Sequence, residues 1–158
     1  MIEGVSDQKG HIYSKIKEGG EEFIVTMRPK ALINYSLNYY CSSLKGALDG
    51  TRSILGSISM LPIMISPDLD LFWFPCSSPS NPDCIWLSLS HVQKAEKINS
   101  RQTKVGLSFD HSIVIDMKKA RFDKKHQRAT QLRYINSERS KRTANFVINS
   151  EKEDYIGL

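Results

Sequence analysis

The sequence predicts an α+β fold, in which a mostly antiparallel β portion through Met117 is followed by one basic helix. Two observations carry this prediction. Short segments rich in β-branched and aromatic residues, separated by turn-forming residues, recur as far as Met117. Beyond Met117 the composition changes abruptly to helix-forming residues without glycine or proline. We expect a single domain over residues 1–136, β-rich to about 117, and a charged tail over residues 137–158.

The first elements are predicted from turn signals. Residues 11–17 and 21–27 flank Gly19 and Gly20, which predicts a β-hairpin. Residues 31–40 fit either a strand or a short helix, because their periodicity does not decide between the two. Residues 41–53 carry two glycines among small polar side chains and are predicted to form a loop.

The most apolar part of the chain follows. Residues 58–65 and 69–74 predict two strands joined by a turn at residues 66–68. The second of these strands is apolar on both faces, so we expect it to be buried on both sides or to pack into an oligomer. A proline-rich loop over residues 76–84 leads into a half-buried strand over residues 85–92.

The last elements are a second hairpin and a helix. Residues 103–109 and 112–117 flank a predicted turn at Asp110 and His111. The helix is expected over about 117–135, with Asp116 as its N-cap. Its apolar residues, Phe122, Ala129 and Leu132, form one narrow stripe, which leaves most of its circumference basic. Residues 136–142 are predicted to form a linker.

Positive charge is concentrated around this helix. The chain has a formal net charge of +5, but residues 118–142 alone hold ten basic and two acidic residues. Their local charge is +8, against −3 for the remainder of the chain. A cluster of like charges destabilises the folded state, and a phosphate-bearing partner would neutralise it.

Catalysis, metal binding and membrane insertion receive little support. Cys41, Cys76 and Cys84 are odd in number and irregularly spaced, which favours reduced thiols. A zinc site built from Cys76, Cys84 and His91 lacks the close cysteine pair that such sites use. No nucleophile motif or phosphate-binding loop is present, so neither an enzyme nor a cofactor is expected. Without a signal sequence or an apolar span, a cytoplasmic protein with no membrane partner is expected.

Several collinear segments resemble one known family. SKIKEGGEEFIVTMRP, NYYCSSLKGALDGT, PIMISPDLDLFWFP, IWLSLSHV and FDKKHQRATQLRYI, together spanning about residues 13–134, resemble the ComK family of competence transcription factors. The resemblance implies a transcriptional activator of DNA-uptake genes that binds A/T-rich promoter boxes through the minor groove. It also implies homodimers or higher oligomers, and control by an adaptor that delivers the protein to a Clp-type protease.

The basic segment supplies candidate DNA contacts, because the narrow minor groove of A/T tracts attracts arginine and lysine. We expect a DNA face on the helix, phosphate contacts at its start and a mobile arm beyond it. The candidates for the DNA face are Arg121, Lys124, Lys125, Arg128 and Arg133. The candidates for phosphate contacts are Lys118 and Lys119, and those for the mobile arm are Arg139, Lys141 and Arg142.

The chain also departs from the family pattern. Ala47, Leu48, Met60 and Leu61 stand where the family tends to carry basic residues, and Asp49 adds an acid. We therefore expect weaker DNA binding, or binding through the helix alone. The chain ends soon after the helix, where family members continue. The sequence therefore does not decide whether the protein activates transcription or is degraded through the adaptor.

The alternative hypothesis is a regulatory paralogue that has lost DNA binding and pairs with a ComK or with its protease adaptor. A single-stranded nucleic-acid binder is a weaker third hypothesis, because the basic residues are interleaved with aromatic residues that could stack on bases, namely Tyr39, Tyr40, Phe122 and Tyr134.

Overall fold

The structure is a computed structural model that describes residues 1–141. This part of the chain forms two β-sheets and three α-helices. The strands are β1 (Ile2–Ser6), β2 (Ile12–Glu18), β3 (Glu21–Val25), β4 (Ile63–Ser66), β5 (Leu71–Pro75), β6 (Trp86–Ser88), β7 (Val92–Lys97), β8 (Thr103–Leu107) and β9 (Ser112–Ile115). The helices are α1 (Pro29–Tyr39), α2 (Leu44–Leu55) and α3 (Lys119–Ser140).

Both sheets are antiparallel, which confirms the predicted α+β class. The larger sheet has the strand order β3-β2-β1-β6-β5-β4, and the smaller has the order β7-β8-β9. A single 3-10 turn, Leu89–His91, connects β6 of the larger sheet to β7 of the smaller one. Among residues 1–141, no helix combines the length and the apolar character needed to cross a bilayer.

Strand β5 lies between two hydrophobic cores. Phe72 and Phe74 belong to one core, whereas Leu71 and Trp73 pack against the other. Because successive side chains of a strand point to opposite faces, the larger sheet is the middle layer of the molecule. Both faces of the strand are therefore covered within one chain, fully at Phe72 and Phe74 and partly at Leu71 and Trp73, and its two apolar faces do not require an oligomer.

The two cores hold different elements against the two faces of the larger sheet. On one face, Ile33 and Leu37 of α1 and Leu44 of α2 pack around Trp86. On the other face, α3 and the smaller sheet share a core to which Val105 contributes. Residues Ile54 and Leu55 at the end of α2 also reach this second core.

Helix α3 is attached by the apolar stripe that its sequence predicts. Phe122, Ala129 and Leu132 are all almost completely inaccessible to solvent. The ring of Phe122 packs edge-on against Phe74, with 5.9 Å between the ring centroids. This attachment fixes which sides of α3 face outward.

Residues 41–53 form helix α2 for most of their length, so the predicted loop is wrong. The Ser43 hydroxyl accepts a hydrogen bond from the Gly46 backbone N–H at 3.1 Å and caps the helix. Gly56, at φ 77°, follows its last residue in a conformation that glycine adopts readily. Residues 31–40, which the sequence left open, are helical in α1 as far as Tyr39.

Strand and helix boundaries also differ from the predictions. The polar amino terminus forms β1, and the single strand expected over 85–92 is divided between β6, the 3-10 turn and β7. Helix α3 continues to Ser140, so the linker predicted from residue 136 is wrong for 136–140. Its N-cap is Lys118, not Asp116, whose carboxylate accepts a hydrogen bond from the Gln102 side chain.

We predict that Phe122→Ala will lower the free energy of unfolding by about 3–5 kcal/mol, because it leaves a cavity under α3. Tyr134→Ala on the same helix is the control, since Tyr134 is 65% exposed and its loss should change stability by less than about 0.5 kcal/mol. Urea denaturation of the three proteins measures both effects. Equal stabilities of the two variants would contradict the packing of α3 described above.

Candidate nucleic-acid interface

The basic residues of α3 lie on two flanks of the buried stripe. With about 100° of rotation per residue, Arg121, Lys124, Arg128 and Arg139 fall on one side of the helix. We call these four residues the free flank, because none has a carboxylate within 4 Å among residues 1–141. From Arg121 to Arg139 the flank is about 27 Å long at 1.5 Å per residue.

The opposite flank is neutralised by ion pairs. The Lys119 ammonium lies 2.7 Å from the Asp123 carboxylate, one helical turn away. Arg133 lies 3.2 Å from Asp70, which belongs to the turn between β4 and β5. Lys141 pairs with Glu138. We call Lys119, Arg133 and Lys141 the paired flank. The sequence placed Arg133 on the same DNA face as Arg121, Lys124 and Arg128, but the structure places it on the other side of the helix in an ion pair.

Lys125 does not lie on either exposed flank. It is only 5% exposed, and its ammonium donates a hydrogen bond to the Met60 thioether sulfur at 3.4 Å. Desolvation by burial lowers the pKa of Lys125 to about 8. The expectation that Lys125 belongs to an exposed DNA face is therefore not met, although its neighbours Lys124 and Arg128 are accessible.

The start of α3 adds two cations to the free flank. Lys118 and Arg121 line a shallow depression together with Arg101, in the turn between β7 and β8, and these three cations outnumber its one acidic residue, Asp116. Arg101 was not predicted, because it is distant in sequence and only the fold brings it to the helix. The amino end of α3 has no side-chain hydrogen bond capping it and no acidic residue in its first turn. A phosphate would be favoured there by the helix dipole and by the nearby cations.

The positions where the chain departs from the family pattern have different surroundings. Leu61 is buried, and Met60, at φ 53°, contacts Lys125. Ala47 and Leu48 are half-buried on α2, and the Asp49 carboxylate there is paired with Lys45 and Arg52. Of these positions, Met60 reaches α3 through its contact with Lys125, whose side chain lies near Arg121 and Arg128 of the free flank. Arg142, the last residue of the predicted arm, lies outside the described residues, whereas Arg139 is helical rather than part of a mobile arm.

Cys76 and Cys84 are buried in different cores, whereas Cys41 is exposed. Burial raises the pKa of the Cys76 thiol to about 12 and also raises the pKa of the Cys84 thiol. Within residues 1–141, no group of three or more His, Cys, Asp or Glu side chains is placed to hold a metal ion.

The sequence was also compared with known proteins. Residues 1–141 match the family model described as ComK protein. The chain is 30% identical over 124 residues to the competence transcription factor of Bacillus subtilis (strain 168), an alignment that covers 78% of this chain and 65% of that relative. It therefore spans just under two thirds of the relative's length. No solved structure matches the chain significantly.

We predict that Lys125→Met will raise the free energy of unfolding at pH 7 by about 1 kcal/mol, because it removes a charge that is buried without a carboxylate partner. The pKa of Lys125 in the folded protein is about 8, below the ordinary lysine value of 10.5, so the penalty is complete below pH 8. Between pH 8 and pH 10.5 the folded protein releases the Lys125 proton while the unfolded chain still holds it, so the wild type becomes more stable. The difference in the free energy of unfolding between the variant and the wild type should therefore shrink.

Denaturation of both proteins at pH 7 and pH 9.5 tests this prediction, with Lys124→Met as the exposed control. A stability difference that is absent at pH 7, or that grows with pH, would contradict the buried position of Lys125.

We also predict that a thiol reagent such as DTNB will modify Cys41 rapidly in the native protein and will reach Cys76 and Cys84 only as it unfolds. The absorbance should correspond to one fast thiol in buffer and to three in denaturant. The Cys41→Ser variant should lose the fast phase. Rapid reaction of all three native thiols would show that the two cores are open.

Proposed function

The chain belongs to the ComK family, and we propose that it is a DNA-binding transcription regulator that uses the free flank of α3. The observation that carries this proposal is that paired and unpaired cations lie on different sides of that helix. Four cations without acidic partners within residues 1–141 lie along one side, and three neutralised cations lie along the other. Unpaired cations release the counterions of DNA on binding, whereas a cation already in an ion pair gains less from a phosphate.

The proposed ligand is A/T-rich duplex DNA, bound through its minor groove. Three of the four free-flank residues are arginines, the side chain that narrow A/T grooves attract most. Arg121 and Arg128 are two helical turns apart, about 10.5 Å, a distance close to three base pairs. Lys118 and Arg101 extend the flank at the start of α3, where they would contact the phosphate backbone. Regulation, rather than catalysis, is the activity that we propose.

A dimer would place two such flanks on successive boxes of a promoter. The edge strand β3 supports this part of the proposal, because Phe23 is 42% and Ile24 is 55% exposed on it. An exposed apolar edge strand is a common site of pairing between chains. The Clp-type protease adaptor is a further proposed partner, and it rests on the family alone.

Fluorescence anisotropy with an A/T-rich duplex tests the free flank. We predict that the triple variant Arg121→Ala, Lys124→Ala, Arg128→Ala will lose affinity by roughly 30-fold or more and will reduce the slope of log K against log salt by about three. The matched control is Lys119→Ala, Arg133→Ala, Lys141→Ala, which removes the same charge from the paired flank of the same helix. It should bind within about threefold of the wild type.

Two results would overturn the proposal. Equal losses in the two triple variants would show that only net charge matters and that the free flank is not the binding surface. Equal affinity of the wild type for A/T-rich and G/C-rich duplexes would contradict minor-groove selectivity. Lys125 stays unchanged in both variants, because its replacement would alter the stability of the protein.

A further inference from the structure

A second basic surface lies on the opposite face of the larger sheet from the core that holds α3. It is an open groove of about 640 Å³ between α1 and α2. Its floor is apolar and consists of Ala31 on α1 and of Leu44 and Leu48 on α2. Leu44 is buried and the other two are partly accessible, so apolar surface remains exposed along the groove.

The rim of the groove is cationic. Arg28 and Lys30 lie at the start of α1, and Lys45 and Arg52 lie on α2. Arg28 and Lys30 have no carboxylate within 4 Å in the described part of the chain. Lys45 and Arg52 share one carboxylate, that of Asp49, at 3.1 and 2.7 Å. The groove therefore carries a net charge of +3 from four basic residues and one acidic residue.

The mixture of apolar and charged groups selects the kind of partner. Leu44, Leu48 and Ala31 offer nothing to a phosphate, which binds best where polar groups and water surround it. The hydrogen bonds from Lys45 and Arg52 lower the pKa of Asp49, so this carboxylate is ionised and pairs with those two cations, which leaves Arg28 and Lys30 as the rim cations that a partner's carboxylates would meet. A protein helix with apolar side chains on one stripe and carboxylates beside it would match both the floor and the rim.

We propose that this groove binds an acidic amphipathic helix of a partner protein. Helices α1 and α2 are 11 and 12 residues long, about 16 and 18 Å, so the groove accommodates roughly three turns of a bound helix. The partner helix places apolar residues at spacings of three and four over Leu48 and Ala31, and its carboxylates reach Arg28 and Lys30. This interaction does not depend on DNA binding by α3, because the two surfaces share no residue.

Two labelled twelve-residue helical peptides test the proposal. The first has leucines at the second, fifth, sixth and ninth positions and glutamates along one flank of that stripe. The second has lysine in place of every glutamate. We expect the glutamate peptide to bind in an anisotropy titration and the lysine peptide to bind at least tenfold more weakly.

Charge reversal maps the binding to the groove. The variant Arg28→Glu, Lys30→Glu should weaken the glutamate peptide at least tenfold, and acidic residues at the start of α1 favour that helix, so the fold is retained. The matched control Lys9→Glu, Lys97→Glu makes the same charge change at exposed positions away from the groove. It should bind the peptide as the wild type does.

The same variants distinguish this proposal from the DNA proposal. The free-flank triple variant should bind the peptide normally, and the Arg28→Glu, Lys30→Glu variant should bind the A/T-rich duplex as well as the Lys9→Glu, Lys97→Glu control does. Failure of the glutamate peptide to bind, equal binding of both peptides, or a selective loss of duplex binding in the Arg28→Glu, Lys30→Glu variant would each overturn the groove proposal. The last result would assign the groove to nucleic acid.

Discussion

The alternation of side chains along β5 is the constraint on which the rest of the structure depends. Phe72 and Phe74 enter one core while Leu71 and Trp73 face the other, so both faces of the larger sheet must be covered. Helices α1 and α2 cover one face, and α3 with the smaller sheet covers the other. The proline-flanked apolar stretch thus has a structural role, because it joins the two cores and holds two basic surfaces apart.

The packing of α3 against the larger sheet determines which of its cations are available to a ligand. The sequence of the helix shows a dense basic cluster, but the fold sorts it into cations with carboxylate partners, cations without them and one buried lysine. The pairing of Arg133 with Asp70 spans 63 positions in the chain, and the contact of Lys125 with Met60 spans 65. These two long-range contacts, together with the local pairs of Lys119 with Asp123 and of Lys141 with Glu138, therefore define the free flank and reduce the candidate DNA surface to one side of the helix.

The elements with strong local signals could be predicted from the sequence. The two glycine- or aspartate-centred hairpins and the stripe of Phe122, Ala129 and Leu132 follow from periods of two and 3.6 residues. Helix α2 could not be predicted, because Gly46 and Gly50 lower its helix propensity and tertiary packing of Leu44 overrides that preference. Lys125 stands three residues after Phe122 and four before Ala129, so its place on the buried stripe follows from helical spacing, although lysine is a residue that is rarely buried. The approach of Arg101 to α3 leaves no local trace, so that part of the candidate site required the fold.

Chemical-shift mapping of the isotope-labelled protein with an A/T-rich duplex tests the central claim most directly. The account predicts that the largest changes will fall on the amides and side chains of Arg121, Lys124, Arg128 and Arg139, with smaller ones at Lys118 and Arg101. Changes confined to α1 and α2, or distributed equally over both flanks of α3, would contradict it.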